Sequence, residues 1–227
     1  MVGGLISVTI GNSVASIGEF AFYECVSLTS VHITDLAAWC KINFEVQESP
    51  SSNPLAYANH LYLNGEEIKD LVIPNSVTSI GEFAFANCSG LTSVTIPNSV
   101  ASIGENAFQK CYGLTSVTAC MKDPIQITSS TFSNRQNATL YVPIGSKAAY
   151  EAADYWKEFK EINEVEMPEE PATPGDLNGD GKVNVGDIMA IINIMADGGK
   201  DLKGDVNGDG AVNVGDIMAI INIMAGK

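Results

Sequence analysis

Three stretches of the sequence share one 23-residue pattern: "LISVTIGNSVASIGEFAFYECVS" (Leu5–Ser27), "IKDLVIPNSVTSIGEFAFANCSG" (Ile68–Gly90) and "LTSVTIPNSVASIGENAFQKCYG" (Leu91–Gly113). No other feature constrains the fold as much. A unit of that size cannot bury its own apolar face, whereas stacked units share a continuous core. In each copy "LxxVxI" forms a short strand whose apolar residues point inward. An Asn-Ser turn follows, then "VxSIG", then a tight "ExAF" turn and a Cys. The expected body is a solenoid.

Between the first and second copies the unit swells: from Leu28 to Ile68 is 40 residues. The added "LYLNGEEI" sets an Asn-Gly pair between apolar residues, a hairpin signal. Insertions of this kind map to one face, often the binding face; covering the core is the other reading. After Leu114 the register decays. Tyr150, Ala153, Trp156 and Phe159 recur at helical spacing behind Ser146 as an N-cap, which reads as the polar-faced cap that closes a stack. The N-terminal side shows no equivalent, and "MVGGLISV" lacks the basic and apolar regions of a signal peptide. The expectation is a fragment whose native start lies upstream.

The "SIGxxAFxxC" stretch resembles the BspA-like leucine-rich repeats. The resemblance covers roughly the first two-thirds of the chain and implies a repeat solenoid over residues 1–163, with an expanded repeat at 28–67 and a cap at 114–163.

Several residues invite a chemical reading that the pattern does not support. Cys25, Cys88 and Cys111 share one repeat position and are expected as core thiols. A Cys88–Cys111 bridge is within strand spacing, but side chains in a stacked ladder run parallel, which favours free thiols. Cys40 and Cys120 lie off that ladder. The two histidines are His32, outward in a strand, and His60 in the expanded unit. A Cys40–His60 couple can be drawn, yet no nucleophile elbow surrounds it. Asn87 and Asn137 match the glycosylation pattern by coincidence. Phe22, Phe85 and Phe108 read as core. Trp39, Tyr57 and Tyr62 read as packing over the solenoid edge, with sugar stacking as the alternative. The chain is expected to be non-catalytic.

Residues 164–174 carry Glu and Pro without apolar periodicity and read as an acidic, extended linker. Beyond them "GDLNGDGKVNVGDIMAIINIMA" (Gly175–Ala196) returns as "GDVNGDGAVNVGDIMAIINIMA" (Gly204–Ala225). Asp176, Asn178, Asp180 and Asp187 occupy positions one, three, five and twelve of the first loop. Asp205, Asn207, Asp209 and Asp216 do so in the second. Alternate oxygen donors around a Gly-enabled turn suit a hard cation, and Ca2+ takes about 6–8 oxygens. Lys182 and Ala211 at position seven offer backbone carbonyls, and Asn184 and Asn213 at position nine act through water. Two Ca2+ ions are expected.

A loop followed by one helix, duplicated and closed by Asp, resembles type I dockerin over residues 175–227. That resemblance implies docking onto a cohesin-like partner, a secreted or bacterial cell-surface setting and a link to polysaccharide-degrading assemblies. The sequence departs from the family where hydroxyl and basic contacts are usual, so the docking face is expected to be apolar: Val185, Met189, Ile192 and Asn193 in one copy, Val214, Met218, Ile221 and Asn222 in the other. Ile188, Ile191, Ile192 and Met195, with Ile217, Ile220, Ile221 and Met224, read as core stripes. Met189, Ile194, Met218 and Ile223 are left over.

The predicted class is thus α+β: a short leucine-rich-repeat solenoid, then a small all-α unit of paired calcium loops and helices. With 27 Asp+Glu against 12 Lys+Arg the formal net charge is −15, which argues against nucleic-acid binding. No apolar run is long enough to span a membrane. The solenoid would bind an unknown protein or glycan. The alternative reading is the C-terminal part of a larger secreted enzyme or adhesin, with purely structural calcium loops.

Overall fold

The computed structural model describes residues 4–45, 52–167, 175–177, 183–199, 204–207 and 209–225. The chain divides into two units, Met1–Met167 and Pro168–Lys227. Its class is mixed: stacked short parallel strands, few helices, and a helical C-terminal part.

In the first unit the strands run β1 (Ser7–Ile10), β2 (Ser16–Ile17), β3 (Ser30–Ile33), β4 (Asn43–Phe44), β5 (Leu61–Leu63), β6 (Glu66–Glu67) and β7 (Asp70–Val72). They continue with β8 (Ser79–Ile80), β9 (Ser93–Ile96), β10 (Ser102–Ile103), β11 (Ser116–Ala119), β12 (Thr139–Pro143) and β13 (Glu161–Val165). Helix α1 (Leu36–Trp39) and helix α2 (Leu55–Ala58) belong to the expanded repeat, and α3 (Lys147–Ala152) to the C-terminal side. The longer strands form two sheets, ordered β1-β3-β5-β6 and β13-β12-β11-β9-β7.

Strand pairing carries the repeat further than the side chains suggest. Ser93 pairs with Ser116 and Ser116 with Thr139, each a step of 23, so the register persists beyond Leu114. It then shortens to 22 between Thr139 and Glu161. The expected decay is therefore a loss of sequence signature, not of stacking. Inward residues Val94, Val117, Leu140 and Ile162 keep the strand period of two and stay buried. Phe85, Phe108 and Phe132 stack at 5.3 and 4.9 Å between centroids, an aromatic column inside the solenoid. Such contacts add about 0.5–1.5 kcal/mol each beyond area burial. Phe22, at the same repeat position, is only half-buried.

The C-terminal side departs from the expected helix. Ser146 sits at the N-cap of α3, but its side chain makes no capping bond. The helix ends at Ala152, Tyr155 turns left-handed (φ 64°), and Trp156 starts a 3-10 turn. That break lets the Tyr150 hydroxyl donate to the Met121 carbonyl at 2.8 Å and the Trp156 indole to that of Ile125 at 2.8 Å. A regular helix would not aim both inward. Strand β13 then extends to Val165, two residues into the stretch read as linker. Arg135 ties the end together, donating to Glu158 and to the carbonyls of Ser129 and Phe132.

The expanded repeat packs over the solenoid. Asn64 and Gly65 have positive φ and join β5 to β6 as the hairpin expected there. Trp39 is buried, its indole donating to the Ala84 carbonyl at 2.9 Å, so it is a packing residue and not an exposed sugar platform.

Cys25, Cys40, Cys88 and Cys111 are buried free thiols. Burial pushes Cys40 and Cys88 up to about 12 and raises Cys111 as well. Alkylation needs thiolate and access. Cys25, Cys88 and Cys111 are therefore expected to resist iodoacetamide in the native protein and to react once it is denatured, read by mass spectrometry. Rapid native labelling of all three would contradict the register described above. His60 donates from Nδ1 to Glu67 at 2.6 Å, and Cys40 lies in the core, its carbonyl accepting from the Gly81 N–H at 2.8 Å. A Cys40–His60 couple has no support among these contacts.

Candidate metal and docking site

The second unit is built from two helices, α4 (Val185–Ala196) and α5 (Val214–Met224), each preceded by an acidic loop. Asn184 and Asn213 are the N-caps; their side chains accept from the N–H groups of Gly186 and Gly215 at 2.7 Å. Three residues on, Asp187 and Asp216 reach back to the N–H of the same caps at 2.8 Å, completing a capping box. The residue that closes each loop therefore also starts each helix.

Both closing aspartates are fully buried. Asp187 accepts from the Leu177 N–H at 2.8 Å; Asp216 accepts from those of Val206 and Asn207 at 2.9 and 3.1 Å. Each thus clamps the beginning of its loop to the first turn of its helix.

The rest of the second loop is also organised around its acids. Asp205 accepts from the N–H groups of Asp209 and Gly210 at 3.0 and 2.8 Å. Asn207 Oδ1 accepts from Asp209 at 2.8 Å. Asp209 accepts from the Ala211 N–H at 2.9 Å and from Asn207 Nδ2 at 3.0 Å. The Ala211 N–H, then the side-chain amides of Asn207 and Asn213, hold the Asp209 carboxyl below its ordinary range. In the first loop, Asn178, Asp180 and Lys182 lie outside the described residues; Asp176 is half-buried at its start.

Among the described residues no three acidic, thiol or imidazole side chains converge as metal ligands. The donor chemistry nevertheless fits a hard cation. Every candidate contact in the second loop is oxygen: the Asp205, Asn207, Asp209 and Asp216 side chains and the Ala211 carbonyl. A carboxylate offers about four lone-pair sites. Asp205 uses two of them and Asp216 three on loop amides, which leaves both with acceptor capacity.

The two halves clasp each other. A Cβ on Gly175 (φ +94°) would lie 3.0 Å from Ile223 of α5 and 3.2 Å from Val183. At Gly204 it would lie 2.7 Å from Val212 and 3.2 Å from Ile194 of α4. The approach to each loop is therefore packed under the helix that follows the other loop. This reciprocity joins residues far apart in sequence, so no local pattern announces it.

The small core centres on Ile191, Val212 and Ile220, flanked by Ile188, Ile194, Met195 and Ile217. Three expectations change. Ile194, read as left over, packs against Val212 and Gly204. Ile192 and Ile221, read partly as core, are exposed. For the isoleucines the cause is angular: residues three and four from Ile191 share its face, whereas Ile192 lies about 100° round the helix. Met224, read as core, is 46% exposed as the last residue of α5. Val185, Met189 and Ile192 line the outer face of α4 at steps of four and three. Val214, Met218 and Ile221 repeat that stripe on α5, and Asn193 and Asn222 are exposed beside them.

The family model described as a BspA type leucine rich repeat region matches residues 3–43 and 58–172, in six copies. The type I dockerin domain model matches residues 203–227, the second loop and helix. No curated protein matches the chain. A leucine rich cell surface protein from Faecalibacterium prausnitzii A2-165 is 18% identical over 73% of this chain, with a TM-score of 0.36. The T. pallidum leucine-rich repeat protein is 21% identical, covering 62% of this chain and 70% of its own, with a TM-score of 0.38. A leucine-rich repeat protein from Bacteroides ovatus ATCC 8483 is 20% identical, covering 72% of this chain and 43% of its own, with a TM-score of 0.37. The match spans 61% of the Faecalibacterium protein's length.

Proposed function

The chain belongs to the BspA-type leucine-rich-repeat proteins, and from that premise we propose a non-catalytic, extracellular or cell-surface binding protein that is tethered through a calcium-dependent docking unit. Both matched families are non-catalytic binding modules, so protein binding is the common denominator. No described helix is long and apolar enough to cross a membrane.

The observation that carries the docking part is the duplicated exposed stripe. Val185, Met189 and Ile192 recur as Val214, Met218 and Ile221, in both cases flanking the loop's closing aspartate. A bound Ca2+ at each loop, two in all, would supply the positive charge that lets three aspartates share one turn. In the first loop its ligands would be Asp176, Asn178, Asp180, the Lys182 carbonyl and Asp187, with Asn184 acting through water. In the second they would be Asp205, Asn207, Asp209, the Ala211 carbonyl and Asp216, with Asn213 acting through water. The residues of this chain then do the docking: the closing aspartate fixes where each helix starts, and that start fixes where the apolar stripe faces. The partner is a cohesin-like protein of a polysaccharide-degrading assembly, and the solenoid presents its own face to a protein or glycan ligand.

The three loop amides already bonded to Asp216 favour a second reading, in which the loops are structural; its wider form makes the chain part of a larger secreted enzyme or adhesin. Capture on a panel of purified cohesin modules separates the two. At least one module is expected to bind the full chain in Ca2+ and to release it in EGTA. Binding to none of them, with the unit folded, supports the structural reading.

A further inference from the structure

The solenoid contains an interior break that its repeats do not explain. Strand β6 ends one sheet and β7 ends the other, so two sheet edges face each other where a continuous ladder would have none. Between them lies a cleft of about 510 Å3. Its floor includes Leu36, Leu63 and Leu71, and its rim carries Glu66, Glu67, Lys69 and Asp70. The break coincides with the departure from the repeat: residues 44–57 fall between the matched segments, and the β5–β6 hairpin follows directly.

Two features make this notch unlike the rest of the surface. In a parallel ladder, alternate residues turn both backbone groups toward one neighbour. The Lys69 carbonyl accepts from Ser93 at 3.2 Å and the Ile73 N–H donates to Thr95 at 3.0 Å, both toward β9. The N–H and C=O groups of Asp70 and Val72 are therefore turned toward the notch. The outward row through that level reads Thr9, His32 and Tyr62 in one sheet and Val72, Thr95, Thr118 and Tyr141 in the other. Only Val72 in that row is aliphatic, and it is 63% exposed. An exposed aliphatic side chain on an open strand edge is a template for strand addition.

Charge selects the occupant. With Glu67 bonded to His60, Glu66 and Asp70 still outnumber Lys69 on the rim, in a chain of net charge −15. Ser93 and Thr92 donate to Asp70 Oδ1 at 2.6 and 3.0 Å and keep that carboxylate ionised and fixed. We propose that the notch docks an extended basic segment of a partner protein, which pairs its backbone with β7 and sets Lys or Arg side chains against Glu66 and Asp70 over the apolar floor. This does not depend on the calcium unit.

The probe is a fluorescein-labelled acetyl-Lys-Val-Lys-Val-Lys-amide peptide, with the Glu-for-Lys peptide as control, read by anisotropy at physiological salt on the full chain. Saturable binding of the basic peptide alone is expected. Val72→Pro removes the notch-facing N–H without touching a bond to β9 or changing charge, and is expected to weaken binding at least tenfold. Should that variant fail to fold by circular dichroism, Glu66→Arg leaves the ladder intact and is expected to weaken binding as much. The charge-matched Glu19→Arg, outside the notch, is expected to stay within twofold. No saturable binding, equal binding of the acidic peptide, an unaffected folded Val72→Pro variant, or equal losses in Glu66→Arg and Glu19→Arg would each overturn the proposal.

Discussion

Adding EGTA is expected to unfold the C-terminal unit while leaving the solenoid folded. Far-UV circular dichroism and a labelled-domain melt would show two separate transitions, only one of which moves with Ca2+. The second unit buries Ile191, Val212 and Ile220 as its core, too little apolar surface to carry a domain of this size comfortably. Against that, each loop concentrates three aspartates. At free Ca2+ a thousandfold above the dissociation constant, binding contributes about 4 kcal/mol per site, similar to the whole stability of a small domain. The reciprocal packing of Gly175 under α5 and Gly204 under α4 sharpens this expectation. Asp216→Ala removes the clamp on Val206 and Asn207 and the cap on α5. Hydrogen bonds to charged groups contribute roughly 1.5–3 kcal/mol each, so the damage should pass to the other loop. Calorimetry should find two Ca2+ per native chain and none, not one, in Asp216→Ala. An intact first site in that variant would show the halves to be independent. A melt indifferent to EGTA would show that the unit folds without metal.

The solenoid was legible because its physics is repetitive: a residue that must face the core does so at every turn, and three copies print the same letters. Where the letters changed, the rule survived without its signature. Leu140, Val142 and Ile162 still alternate inward, but "SIGxxAF" is gone from residues 139–165 and the backbone pairing alone keeps the register. The helix expected through Phe159 failed for a different reason. Helical spacing counts positions and cannot foresee that Tyr155 turns left-handed so that Trp156 reaches a carbonyl. In the C-terminal unit the oxygen pattern is local and could be read directly, whereas the choice between Ile192 and Ile194 as core depends on where the partner helix lies. The notch beside Val72 is non-local in the same sense: it exists because a hairpin separates two strands, and composition carries no trace of it.

Two identical exposed stripes raise the question of how many a partner uses, and this has a decisive double-mutant test. Met189 and Met218 are 51% and 52% exposed, while Ile191 and Ile220 beneath them are buried, so the methionines can be changed without opening the core. Units with matching loops, caps and stripes present the same face in either of two orientations. On the docking proposal, Met189→Lys alone should leave affinity for a captured cohesin module within a few-fold, because the stripe on α5 remains, and Met218→Lys alone should behave likewise. Both together place a cation at the centre of each apolar stripe. Burying an unpaired charge costs several kcal/mol, and each 1.4 kcal/mol is tenfold in affinity, so binding should fall below detection. Ca2+ uptake should be unchanged, since neither methionine is among the candidate ligands. Ile192 and Ile221 are the poorer probes, being nearer to the core cluster. Loss of binding in one single variant would mean that a single stripe docks, and that the second survives because its helix is needed to hold the first loop closed.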